Sequence, residues 1–132
     1  MPPSVLAQLI AQALDEAPLE CCGLLAGDPA TGLVDRYLPC RNAAASARVY
    51  TVEPRDQLRA TRAAEDAGLE IIGVVHSHTH TPPHPSATDV AAAPDPGWHY
   101  VIVSLALAEP SVRSFRIAGG AVEEEELVLV GA

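Results

Sequence analysis

The sequence contains no lysine: all eight basic residues are arginine, set against 17 acidic ones, for a formal net charge of −9 and a pI near 4.8. An acidic chain is not drawn to phosphate backbones or to anionic lipid surfaces, so neither nucleic acid nor membrane is expected as a partner. Long apolar runs are also missing. No stretch approaches the roughly 20 residues needed to cross a bilayer, and Met1-Pro2-Pro3-Ser4 lacks the basic start of a secretory signal. A cytoplasmic location is expected. The three cysteines, Cys21, Cys22 and Cys40, are odd in number and have no CxxC spacing, which excludes a disulfide framework and leaves them as reduced thiols.

What is present is a chain of 132 residues, 48% apolar and 19% charged. That is enough for one packed core and too little for two ordinary domains, so a single domain over residues 1–132 is expected. Val5, Leu6, Leu9, Ile10, Ala13 and Leu14 recur at helical spacing, with Ser4 placed as N-cap and Pro18 beyond the end. Cys22 to Ala26 and Leu33 to Leu38 flank Gly27-Asp28-Pro29 and Thr31-Gly32, a hairpin pattern. After a loop over Asn42 to Arg48, Val49 to Val52 reads as a strand, and Pro54 opens a helix running to about Ala67 and closed by Gly68. The β-branched run in Leu69 to His78 suits a strand buried on both faces. Thr81 to Pro85 cannot continue a sheet, Ser86 to Ala93 reads as a short helix, and His99 to Leu105, Val112 to Ile117 and Ala121 to Val130 complete a meander. The fold class is α+β with a mixed, mostly antiparallel sheet.

His76-Ser77-His78 ends the buried strand, and a strand sends residues i and i+2 to one face, so both imidazoles point at one spot. Two neutral imidazoles are half of a zinc site, and a catalytic site takes three protein ligands plus an open position. The candidates for the third are His80, His84 and Asp89. Three same-face strand residues would spread over roughly 13 Å, poor for His80. Asp89 lies in the first turn of the Ser86 helix, which the proline-rich turn can fold back against the strand end, and it is favoured. Water on such an ion has a pKa of about 7 rather than 15.7, and it needs a partner to move its proton. Glu20, a carboxylate in an otherwise apolar stretch after Pro18, suits that role, and Ser86 could hydrogen-bond a developing oxyanion.

Glu20, then Gly73-Val74-Val75-His76-Ser77-His78, then Pro85-Ser86-Ala87-Thr88-Asp89, together resemble the JAMM (MPN+) metalloprotease pattern of a remote Glu followed by HxHx7SxxD. Pro18-Leu19-Glu20-Cys21-Cys22-Gly23-Leu24-Leu25-Ala26-Gly27 resembles the family's strand around its glutamate. The resemblance covers Ser4 to about Leu105 and implies a JAMM/MPN (cytidine-deaminase-like) domain. It also implies zinc on His76, His78 and Asp89, Glu20 as general base and acid, and Ser86 supporting the tetrahedral intermediate. Many relatives have proline where this chain has Thr79. The run His78-Thr79-His80 is similar to a small bacterial subgroup that hydrolyses cysteine from the C-terminal glycine of a ubiquitin-like sulfur carrier. The partner so implied is a carrier protein with a Gly-Gly tail. Removal of ubiquitin-like modifiers from lysines and a metal-free binding scaffold are the alternatives, and a homodimer stays open.

Other residues have plainer readings. His80 and His84 suit solvated loops, His99 a structural role, and Cys22 a small buried hydrophobe without an adjacent base. Arg55, Arg59 and Arg62 share a helix face, either paired with nearby acids or available to an acidic carrier. Glu123 to Glu126 reads as a solvated strand edge.

Overall fold

A computed structural model describes residues 1–131; Ala132, the last residue of the expected domain, lies outside them. The elements are α1 (Pro3–Glu16), β1 (Cys22–Asp28), β2 (Leu33–Cys40), α2 (Pro54–Asp66), β3 (Glu70–His78), α3 (Ala87–Ala92), β4 (His99–Ser104), β5 (Ser111–Ala118) and β6 (Ala121–Glu125). The strands form one sheet in the order β2-β1-β3-β4-β5-β6. β3 and β4 run parallel and every other neighbouring pair is antiparallel. The parallel pair needs a crossover, and the segment carrying α3 supplies it. The expected α+β class with a mixed sheet is therefore what the chain forms.

Because side chains alternate along a strand, adjacent Cys21 and Cys22 enter different cores. Cys21 joins Val5, Leu9, Ala13, Leu25, Val75 and Val101 beneath α1. Cys22 joins Leu24, Cys40, Ala60, Val74, Tyr100, Ile102 and Phe115 on the α2 side. β3 is covered on both sides, as its β-branched composition requires, and everything from Ile72 to His78 is buried. Burying Ile72, Val74 or Val75 contributes roughly 1.5–3 kcal/mol each by leaving water. All three thiols are free and buried.

Local chemistry moves three element boundaries from their expected places. α1 begins at Pro3 with Pro2 as N-cap and no side-chain cap, so Ser4 lies inside the first turn. Proline's fixed φ and missing N–H suit that first turn. Val49 to Val52 makes no strand, only an isolated bridge between Asn42 and Val52. The Asn42 side chain takes the hydrogen bonds a strand partner would have taken: its amide donates to the carbonyls of Val49 and Glu20, and its oxygen accepts from Ala44 and Thr51. β6 stops at Glu125 rather than Val130. The segment beyond turns to the N-terminus, where the Met1 amine donates to the Val128 carbonyl and Val130 N–H to the Met1 carbonyl.

α2 starts where Pro54 predicts. Glu53 caps it by accepting from Asp56 N–H, and Gly68 follows its end at φ +73. Small residues Ala60 and Ala64 form its buried face.

Candidate metal centre

The site is built at the C-terminal end of β3. His76 and His78 share a face, and the proline-rich turn returns the chain so that Asp89, in the first turn of α3, meets them. Asp89 Oδ2 lies 3.1 Å from His76 Nε2 and 3.0 Å from His78 Nε2, and the two Nε2 atoms are 3.1 Å apart. All three residues are buried. Ligand atoms about 2.0–2.1 Å from a tetrahedral zinc would be about 3.3 Å apart, so this near-equilateral triangle has the size such an ion requires.

The tautomers support the same reading. His78 Nδ1 is 2.9 Å from the Pro82 carbonyl. A carbonyl only accepts, so Nδ1 carries the proton, and in the neutral ring Nε2 turns a lone pair on the Asp89 oxygen. Lone pair facing carboxylate is repulsive unless a proton or cation lies between. Burial alone would depress the His78 pKa, but hydrogen bonds to Asp89 and Pro82 raise it overall. Burial dominates at His76 and lowers it. For Asp89, burial pushes upward, yet its bonds to His76 and His78 outweigh that and hold the carboxyl well below the usual range. Asp89 therefore stays anionic at ordinary pH, the state in which a carboxylate can bind a metal ion.

α3 fixes that carboxylate. Ser86 Oγ accepts from Asp89 N–H at 3.1 Å, and Ser86 N–H donates to Asp89 Oδ2 at 2.8 Å, a reciprocal capping box. The S-x-x-D spacing thereby caps the helix and aims the carboxylate at the two imidazoles.

Glu20 reaches the site through register. Cys22 pairs with His76 in the β1–β3 ladder. Ser77 N–H donates to the Cys21 carbonyl at 3.1 Å, and Cys21 N–H donates to Ser77 Oγ at 2.7 Å, extending the pairing. Continued by one residue, that register brings Glu20 towards His78, and the charges of His78 and Asp89 both act on its carboxyl. It is 3% exposed and its Oε1 has no hydrogen-bond partner. Burial raises its pKa to about 7, with His78 opposing and Asp89 adding to the rise. A carboxyl that titrates near neutrality can both take and return a proton.

The residues expected to stand apart do so. His80 and His84 are exposed and outside the ligand cluster; the His84 ring meets Phe115 edge-on. His99 is engaged 2.6 Å from Glu125. The sequence indicates a loop at Asn42 to Arg48 but not that residues 41–53 lie against the site. Tyr50 stacks on His76, with centroids 4.2 Å apart and an interplanar angle of 15°. Ser46 carbonyl accepts from Glu20 N–H, and Ala47 carbonyl from Thr79 Oγ1. The only hint was an aromatic in an ambiguous stretch.

A mixed sheet carries a buried two-histidine, one-aspartate cluster at the end of its central strand, a donor set that could hold a metal ion, with the buried Glu20 carboxyl beside it. The chain belongs to the JAB/MPN family: the model described as "Prokaryotic homologs of the JAB domain" matches residues 2–118. It is 40% identical over 125 residues to the CysO-cysteine peptidase of Mycobacterium tuberculosis, covering 92% of this chain and 84% of that protein. It is 39% identical over 102 residues to the desampylase of Haloferax volcanii, covering 76% and 73%. A protein from Desulfitobacterium hafniense, its structure determined in solution, superposes with a TM-score of 0.91 at 35% identity, covering 99% of this chain and 92% of that one.

Proposed function

We propose that this JAB-family hydrolase is a zinc peptidase that cleaves the amide bond between the C-terminal glycine of a ubiquitin-like sulfur carrier and cysteine. The observation that carries the reading is the buried, unpartnered Glu20 carboxylate, raised to about 7 and within electrostatic reach of His78 and Asp89. Such a group is costly to bury and has no structural partner to explain it.

In this reading His76 Nε2, His78 Nε2 and Asp89 Oδ2 hold zinc, matching their 3.0–3.1 Å triangle. Zinc there supplies Lewis acidity, making water a nucleophile at neutral pH. Glu20 takes the proton from the attacking water as oxygen adds to the glycine carbonyl, and delivers it to the cysteine nitrogen as the C–N bond breaks. The products are a carrier carboxylate and free cysteine. Ser86 Oγ already accepts from Asp89 N–H, and its own proton remains to donate to the oxyanion. Tyr50 and the loop of residues 41–53 exclude water from one side of His76.

Likeness to the CysO-cysteine peptidase favours cysteine as the leaving group. Likeness to the desampylase favours a second reading, release of a ubiquitin-like modifier from a protein lysine by the same residues. The two separate on substrate. The zinc-loaded protein is incubated with carrier-cysteine adducts from several carriers and with an isopeptide-linked conjugate. Cysteine release supports the first reading; cleavage of the isopeptide alone supports the second and removes the first.

A further inference from the structure

In a chain of net charge −9, α2 concentrates positive charge on its outer face. Arg55, Arg59 and Arg62 fall four and three residues apart, with Leu58 beside Arg59, and form one stripe. It points away from Ala60 and Ala64, which face the core. Arg55, Leu58 and Arg59 are exposed, Leu58 at 52%, and Arg62 lies one turn further along the same face. Elsewhere Arg36 and Arg113 are neutralised by Asp35 and Glu124. Here Asp56 is shared between Arg41 and Arg59, and among the described residues Arg55 and Arg62 have no carboxylate within ion-pair distance, although Glu65 and Asp66 lie at the helix end. An exposed leucine between unpaired guanidiniums is the composition of a docking patch, an apolar anchor with a charged rim.

We propose that this stripe docks the acidic face of the globular body of the ubiquitin-like protein whose C-terminal tail enters the metal centre; the assignment of that partner rests on the function proposed above. α2 begins four residues after Tyr50, the residue that stacks on His76, and its Ala60 shares one core cluster with Tyr50 and Val52, so the helix lies on the side of the sheet from which that loop reaches the site. From Arg55 to Arg62 the helix rises about 10 Å, a length one face of a small domain can cover. Net negative charge elsewhere repels an acidic protein, and this stripe is where it can approach. A second copy of the chain is a poor occupant, because a two-fold contact would bring two arginine stripes together.

The test uses an acidic ubiquitin-like protein ending in Gly-Gly and the full-length zinc-loaded chain, wild type and the double variant R55E/R62E. Binding is titrated at low and at moderately high salt. Hydrolysis of a short peptide ending in Gly-Gly-Cys is followed in parallel, since the peptide has no body to dock. Wild-type binding is expected to weaken about tenfold as salt screens the contact. The double variant is expected to bind about tenfold more weakly at low salt, with little salt dependence, while peptide hydrolysis stays within about twofold of wild type. Equal binding by variant and wild type, or wild-type binding indifferent to salt, overturns the docking assignment. Absence of peptide hydrolysis in both proteins would count against the proposed reaction, while the binding titrations by themselves still support or overturn docking.

Discussion

The ring of Tyr50 lies flat on the imidazole of His76, 4.2 Å between centroids and 15° from parallel. His76 Nδ1 is buried and has no hydrogen-bond partner, so the histidine lacks the polar tether that His78 finds in Pro82. The stack is what orients it. Tyr50→Ala should therefore weaken zinc binding about tenfold, at the low end of what outer-shell partners contribute, and cost about 2 kcal/mol of stability from lost aromatic packing. Tyr50→Phe should keep both. Zinc competition against a chromogenic chelator measures the first effect and denaturant unfolding the second.

Glu20 links stability to pH. Its pKa rises from an ordinary 4.5 to about 7 in the folded chain, chiefly through burial. A raised folded value means that the group's contribution is fully present below about pH 4.5 and is lost as pH rises through 7. In metal-free protein, Glu20→Gln removes that loss. The variant should be more stable than wild type at pH 8 by about 2–3 kcal/mol, and the gap should close by pH 4.5. Urea unfolding of both proteins at the two pH values checks it; a constant gap would contradict the burial of an ionising Glu20.

Gly73 lets β4 approach β3 just upstream of the histidines. A Cβ built there would stand 2.6 Å from the His99 carbonyl, a backbone atom that cannot swing aside. Gly73→Ala should destabilise the fold by roughly 2 kcal/mol or more and displace the β3 end that carries His76 and His78. Unfolding midpoints and zinc stoichiometry on the same preparation read both consequences. Gly68→Ala, with nothing within 4 Å of its added Cβ, meets only the strain of φ +73 and should cost less.

Much of this was legible in the residues. Pro54 and Gly68 bracket α2 because one fixes a helical φ and the other accepts a positive one. The Ile71-Ile72 and Val74-Val75 run describes a strand covered on both sides, and HxH at its end describes two imidazoles on one face. Ser86 and Asp89 were readable as a capping box, and in the structure the same pair turns the Asp89 carboxylate towards His76 and His78. What was not legible depends on partners distant in sequence. Asn42 replaces a strand by satisfying the backbone of Val49 and Thr51 with its own amide. Leu127 to Val130 looks like continued strand, yet the Met1 amine and carbonyl capture it. Tyr50 is far along the chain from the histidine it covers, and no local pattern announces that contact.

In the proposed reaction Glu20 moves the proton while His76, His78 and Asp89 hold the ion. The most direct test is cysteine release from a carrier-cysteine adduct by wild type and Glu20→Gln loaded to equal zinc content, with Asp89→Ala as the metal-binding control. Glu20→Gln is expected to keep stoichiometric zinc with turnover reduced by about 10²–10⁴-fold, the range for loss of a positioned acid–base group, and Asp89→Ala to lose zinc. Wild-type rates in Glu20→Gln, or full zinc retention in Asp89→Ala, would contradict these roles.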